Sequence, residues 1–210
     1  PEFVPSITVN KVCSSGIKTI DLAFQMILLG RAEICIAGGQ ESMSNCPFAL
    51  PDMRWGAKMA LPNGRVVDTM VSDGLWDAFN DYHMGVTAEN LADRYAIDRQ
   101  QQDAFAAGSQ QKAAAAIDAG RFEQEIVPVV VRQGKQPPQT ITRDEQPRPA
   151  TTPEQLAQLR PAFRVENGTV TAGNASSLND GAAAVLLMSA DKARERGLPV
   201  LGRIVSSAVA

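Results

Sequence analysis

Cys13 stands between an extended apolar stretch, Ser6-Ile7-Thr8-Val9-Asn10, and a run of small residues, Ser14-Ser15-Gly16. Ile17, Ile20, Phe24, Ile27 and Leu28 then recur at helical spacing, with Gly30 as the stop, so the sequence predicts a thiol at a strand-to-helix turn. The first turn of a helix has unpaired backbone N–H groups and the positive end of the helix dipole, a setting that favours thiolate over thiol. A thiolate in that place can attack an acyl carbonyl. The small neighbours would let a substrate carbonyl approach the backbone, and the serine hydroxyls could cap the free N–H groups. From position alone the alternative of a small buried cysteine stands equally.

Glu33-Ile34-Cys35-Ile36-Ala37-Gly38-Gly39 reads as a second strand, buried on both faces. Strand, helix and strand together predict a βαβ unit with Cys13 at the carboxyl end of the first strand, where open α/β sheets place their sites. The 210 residues are 44% apolar, 20% charged and 5% aromatic, the profile of a globular α/β protein with an Ala- and Val-rich interior. A net charge of −3 gives no basic groove for nucleic acid and no polybasic membrane surface. Three cysteines without CxxC spacing argue against a disulfide framework or zinc site and for a reducing compartment. No apolar run has the length of a membrane span, and no signal peptide is visible at Pro1.

From Asn45 to Tyr82 the prolines Pro47, Pro51 and Pro62, several glycines, and the scattered Trp55, Met59, Met70, Trp76 and Phe79 break any steady period, which predicts a long excursion from the sheet. Asp68 to Leu75 reads as a turn before a short helix. Tyr82 to Asn90 leads into a helix with Thr87 as cap and Leu91, Tyr95 and Ile97 on its apolar side. Asp98 with Gln101 forms a capping-box pattern for a helix ending at Gly120. Val127–Val131 and Gln139–Thr142 read as paired strands turning at Gln133-Gly134-Lys135. Gln146 to Pro149 is loop, and Thr152-Pro153 opens a short helix to Leu159.

Gly168-Thr169-Val170-Thr171-Ala172-Gly173-Asn174-Ala175-Ser176-Ser177-Leu178-Asn179-Asp180-Gly181 is crowded with small and hydrogen-bonding residues. Taken alone it reads as loop rather than ligand cradle. Ala182 to Met188 reads as a buried strand, Ala190 to Arg196 as a helix, and Val200 to Val205 as another strand.

The run Asn10 to Gly16, with Ala37-Gly38-Gly39-Gln40-Glu41-Ser42-Met43-Ser44, Tyr82 to Asn90, Leu159-Arg160-Pro161-Ala162-Phe163 and Gly168 to Ala184 in that order, resembles the thiolases, specifically the acetyl-CoA acetyltransferase type. Ser14 or Ser15 where Gly or Ala is usual, and Lys11 or Val12 where Gln is usual, are small departures. The resemblance implies an α/β, thiolase-like fold: a βαβ sheet layer forming a partial N-terminal domain, with an α+β loop-domain insertion. The expected boundaries are 1–44 and 166–197 for the N-terminal domain, 45–165 for the insertion covering the substrate site, and 198–210 for the start of a C-terminal domain.

Carried over residue by residue, the resemblance makes Cys13 the nucleophile, with its own N–H in an oxyanion site. Leu75, His83 and Met84 match the loop that walls the acyl pocket. Arg148 matches a residue near the adenine and phosphate end of coenzyme A. Ala172 and Ser176 match contacts to the pantetheine. His83 is the only histidine, and a Cys13–His83 dyad competes with a hydrogen-bonded wall residue. The wall reading is preferred because a cysteine at a helix start can be activated partly by the dipole, and the resemblance supports it: the family's activating histidine lies in a His-Pro-Gly-type motif, and its acid/base cysteine in a Cys-Gly-Gly-type motif. Neither motif occurs here.

The implied activity is acetyl-CoA C-acetyltransferase, EC 2.3.1.9 type: thiolytic cleavage or Claisen condensation of short 3-oxoacyl-CoA through an acyl-cysteine. Acetyl-CoA, acetoacetyl-CoA and coenzyme A are substrates, with no metal or redox cofactor, and the expected assembly is a cytoplasmic homodimer or homotetramer. The chain as written is expected to lack N-terminal strands and most of a second half, and to be inactive alone. The rivals are a non-catalytic coenzyme A-binding or interface chain, a medium-chain 3-ketoacyl-CoA thiolase, and a ketoacyl synthase, against which Thr169 to Gly181 argues.

Overall fold

A computed structural model describes residues 2–53, 65–132 and 134–209. Trp55, Met59 and Pro62 of the excursion, and Gln133 of the expected hairpin turn, lie outside the described residues. In chain order the elements are α1 (Ser15–Leu28), β1 (Ile34–Ser42), β2 (Phe48–Ala49), β3 (Val67–Asp68), β4 (Trp76–Asp77), β5 (Tyr82–His83), α2 (Met84–Tyr95), α3 (Arg99–Asp118), β6 (Val129–Val131), β7 (Gln139–Ile141), α4 (Pro153–Ala157), β8 (Asp180–Met188) and α5 (Ala190–Glu195). The chain groups into two compact units, Pro1–Leu75 with Leu178–Ala210, and Trp76–Ser177.

In the first unit α1 packs on β1, which pairs antiparallel with β8 from Ile34 opposite Met188 to Ser42 opposite Asp180. Gly38 and Gly39 set how closely these elements approach. A Cβ on Gly38 would overlap the Ala183 carbonyl oxygen across the ladder, and one on Gly39 would come 3.2 Å from the Cα of Gly16 at the start of α1. Thr19 Oγ1 donates to the Gly38 carbonyl at 2.9 Å, tying the first turns of α1 to the strand. Beyond β3, Met70–Leu75 forms one π-helical turn, entered through the Asp68 carboxylate, which accepts from Met70 N–H at 2.9 Å.

Four expectations change here. Ser6 to Asn10 is unpaired chain, with Ile7 73% exposed, and Val200 to Val205 is likewise no strand. No parallel βαβ unit therefore forms among the described residues. Neither β1 nor β8 is buried on both faces: Ile36 is 79% exposed, and β8 is covered only at Leu187 and Met188. The common reason is that a strand exists by pairing and is buried by what covers it, and neither requirement is local to its residues.

The second unit is largely helical. Asp98 caps α3 in a reciprocal capping box with Gln101, and Thr152 does the same for α4 with Gln155. Arg99 joins the two helices, donating to Asp103 at 2.7 Å, to the Leu159 carbonyl at 3.0 Å and to the Leu156 carbonyl. β6 and β7 form the expected hairpin in shortened form. On α2 the inward face is Gly85, Glu89 and Ala92. Leu91, Tyr95 and Ile97, expected as its apolar side, are exposed.

Candidate active site

The turn before α1 is built on a strained residue. Val12 has φ of 49°, the left-handed region, which costs a β-branched residue about 1–2 kcal/mol. Its peptide groups are held on both sides. Val12 N–H donates to Asn10 Oδ1 at 2.9 Å. Its carbonyl accepts from Ser15 N–H at 3.1 Å and from the Ser15 hydroxyl at 2.7 Å, while Ser15 Oγ also accepts from Lys11 N–H at 2.8 Å. Such bonds contribute roughly 0.5–1.5 kcal/mol each, enough together to hold the strained form. Cys13 follows directly and is exposed, which removes the buried-cysteine alternative.

The expected serine caps are absent. Ser14 makes no side-chain cap bond, and the Ser15 hydroxyl faces back along the chain. As a result the N–H groups of Cys13, Gly16 and Ile17 have no protein acceptor among the described residues, whereas those of Ser14 and Ser15 close the turn onto Lys11 and Val12. Leu75 ends the π-helical turn of the same unit and is half-buried. At the far end of β1, the Asp180 carboxylate accepts from Ser44 N–H at 3.0 Å and from the Ser44 hydroxyl. The Ser44 side chain and backbone hold this carboxyl below its usual range.

His83, Met84, Arg148, Ala172 and Ser176 belong to the second unit. His83, not Thr87, caps α2: its Nδ1 accepts from Gly85 N–H at 2.9 Å. The imidazole stacks on Phe163 with centroids 4.8 Å apart, and a Cβ on Gly85 would overlap that Phe163 ring. With Nδ1 accepting, the neutral ring carries its proton on Nε2, which is left to donate a hydrogen bond. Met84 follows, 39% exposed. Arg148 is exposed and placed by its backbone N–H, which donates to Gln110 Oε1 at 2.8 Å.

Ala172 and Ser176 are exposed on a loop whose underside is hydrogen-bonded throughout. Glu89, with no solvent exposure, accepts from Thr169 N–H at 2.9 Å, Val170 N–H at 2.9 Å and the Thr169 hydroxyl at 2.8 Å. Burial raises the Glu89 pKa, but these bonds, Val170 first, outweigh it and leave the carboxyl below its ordinary value. Asn174 completes the frame: its Oδ1 accepts from Thr171 N–H at 2.7 Å, and its amide donates to Asp103 at 2.9 Å and to the Thr169 carbonyl at 3.0 Å. A loop pinned from beneath presents its small residues outward at fixed height.

Against known proteins, the family model for the thiolase N-terminal domain matches residues 1–191. The chain belongs to the thiolase family. It is 60% identical over 210 residues to the acetyl-CoA acetyltransferase of Pseudomonas aeruginosa, covering 100% of this chain and 53% of that protein. It is 58% identical over 204 residues to the probable acetyl-CoA acetyltransferase of Escherichia coli K12, covering 97% and 51%. Among solved structures, the acetyl-CoA acetyltransferase of Bacillus anthracis superposes with a TM-score of 0.88 at 44% identity, covering 95% of this chain and 49% of that one. The corresponding figures for the Syntrophomonas wolfei acetyl-CoA acetyltransferase are 0.85, 44%, 92% and 48%. The thiolase fold is thereby established, and the chain spans about half the length of the curated relatives it matches.

Several residues of this thiolase chain escaped the sequence reading. Glu89 had a visible signal: it falls at helical spacing with Gly85 and Ala92, an acid on an inward stripe that must find donors. Asn174 and Asp103 lacked one, since they meet only through the fold. Val12 lacked one as well, because nothing in a valine announces a positive φ. Among the described residues no group of three or more His, Cys, Asp or Glu is placed to hold a metal ion, and no helix is long and apolar enough to cross a membrane.

Proposed function

We propose that this chain supplies the acyl-accepting part of an acetyl-CoA C-acetyltransferase acting on short 3-oxoacyl-CoA. The observation that carries the reading is the exposed Cys13 on a strained turn at the start of α1, beside N–H groups without protein acceptors. The thiolate attacks the acyl carbonyl of a coenzyme A thioester. The oxygen gains negative charge, which unpaired N–H groups of the turn stabilise, and collapse expels the coenzyme A thiolate to leave acetyl-Cys13. The acetyl group then passes to coenzyme A, or to a carbanion formed from a second acetyl-CoA.

In this reading Leu75, His83 and Met84 wall the acyl group, Met84 leaving little room for a long chain. Ala172 and Ser176 line the pantetheine path, and Arg148 meets the adenine and phosphate end. The second step needs the acid/base groups that the family carries in motifs this sequence lacks, so the chain alone should stop at the acylated cysteine. A homodimer or homotetramer in the reducing cytoplasm fits the composition and the three free thiols.

The test is incubation of the chain with radiolabelled acetyl-CoA, followed by peptide mapping. One acetyl group on the Cys13 peptide, lost in Cys13→Ser, is expected. Retained coenzyme A binding with no label on Cys13 would instead favour a non-catalytic binding chain.

A further inference from the structure

We propose that Asn10 and Ser15 are positioning residues that lock Val12 in its left-handed conformation and thereby aim the Cys13 thiol at the open N-terminus of α1. The proposal deepens the reading of Cys13 as acyl acceptor and rests on it.

Three observations converge. First, Val12 has φ of 49°, a conformation that a free valine abandons. Second, each polar group of that residue is held by one of two residues. Asn10 Oδ1 takes its N–H at 2.9 Å, and Ser15 takes its carbonyl twice, through N–H at 3.1 Å and through the hydroxyl at 2.7 Å. Third, the N-cap Ser14 makes no side-chain cap bond, and the Ser15 hydroxyl is turned back along the chain. It accepts from Lys11 N–H at 2.8 Å, so no serine oxygen blocks Gly16 N–H or Ile17 N–H.

The arrangement does two things at once. It keeps the first-turn donors open for a substrate oxygen, and it fixes the residue before the thiol in a single backbone well. A glycine at position 12 could adopt the same φ without a clamp, but would also populate negative φ. A clamped valine is confined to one conformer.

The experiment is a double-mutant cycle between position 12 and position 15. Its readout is the rate of Cys13 alkylation by iodoacetamide, followed on the Cys13 peptide so that Cys35 and Cys46 do not contribute. Ser15→Ala is expected to slow Cys13 alkylation about tenfold. Ser15→Thr, which keeps the hydroxyl, should restore the rate. In the Val12→Gly background Ser15→Ala should have a clearly smaller effect, because glycine takes the same φ without strain and only the choice between its wells is left to bias. Asn10→Ala reads the clamp from its other side, with Asn10→Asp as the variant that keeps the acceptor oxygen, and secondary structure by circular dichroism checks folding in each case.

The proposal is overturned by a wild-type rate in both alanine variants, by a rate in Ser15→Thr as low as that in Ser15→Ala, or by an equal loss in the Val12→Gly background. Acetylation by acetyl-CoA is measured alongside. A wild-type chain that is alkylated but never acetylated sinks the acyl-transfer reading while leaving the clamp to be judged on alkylation.

Discussion

Replacing Glu89 by alanine should undo the loop that carries Ala172 and Ser176. The substitution removes the acceptor for Thr169 N–H, Val170 N–H and the Thr169 hydroxyl. Val170 is 5% exposed, so water cannot replace the lost acceptor without opening the loop. Each buried donor left unpaired costs roughly 1–3 kcal/mol. Taking the low end for the hydroxyl, which still accepts from Gln102 at 2.9 Å, the total is about 3–7 kcal/mol, a large part of the roughly 5–15 kcal/mol that holds a domain together. Glu89→Gln keeps one acceptor oxygen and the shape, and should lose about 1 kcal/mol.

The assays are urea unfolding and amide exchange at Thr169 and Val170. Because hydrogen bonding holds the Glu89 carboxyl below its ordinary 4.5, its contribution is complete above that value and fades as pH falls through the lower folded one. Exchange at the two amides should therefore accelerate only below about pH 4.5, and Glu89→Gln should abolish that acceleration. A loss under about 0.5 kcal/mol in Glu89→Ala, or unchanged exchange at both amides, would refute the reasoning.

Gly38→Ala places a methyl group against the Ala183 carbonyl oxygen and 2.9 Å from the Ala184 Cα. It should cost about 2–3 kcal/mol, read by urea unfolding and by faster exchange along the β1–β8 ladder. Gly85→Ala gains about 1 kcal/mol of helix propensity but drives a methyl group into the Phe163 ring. We expect net destabilisation of about 1 kcal/mol or more, with the His83 ring resonances displaced as the stack shifts. Asp180→Asn should loosen the Met43–Asn45 turn at neutral pH, seen as faster exchange of Ser44 N–H. In the unchanged chain, where Ser44 holds the Asp180 carboxyl below its ordinary 3.8, the same loosening should appear only as pH drops below that value.

Features whose cause lies within a few residues could be read from the chain alone. The capping box at Asp98 formed as written and Thr152-Pro153 does open a short helix, and Gly30 and Gly120, just past α1 and α3, both take φ of 66°. The hairpin of β6 and β7 and the thiol at a helix start were legible for the same reason, since each depends on neighbours a turn away. The thiolase motifs were equally legible, because they are runs of consecutive residues.

Everything else depended on segments meeting across the fold. Ser6 to Asn10 and Val200 to Val205 have the composition of strands but no partner among the described residues, and a ladder is a property of two segments. α2 turned Gly85, Glu89 and Ala92 inward rather than its leucine and tyrosine, and the buried Glu89 carboxylate is satisfied by three donors on a loop 80 residues away, a pairing no local pattern shows. The helix cap passed from Thr87 to His83, whose ring Phe163 holds in place. Val12 was bent into a conformation no local preference favours, because hydrogen bonds from both sides together outweigh the strain of one backbone angle.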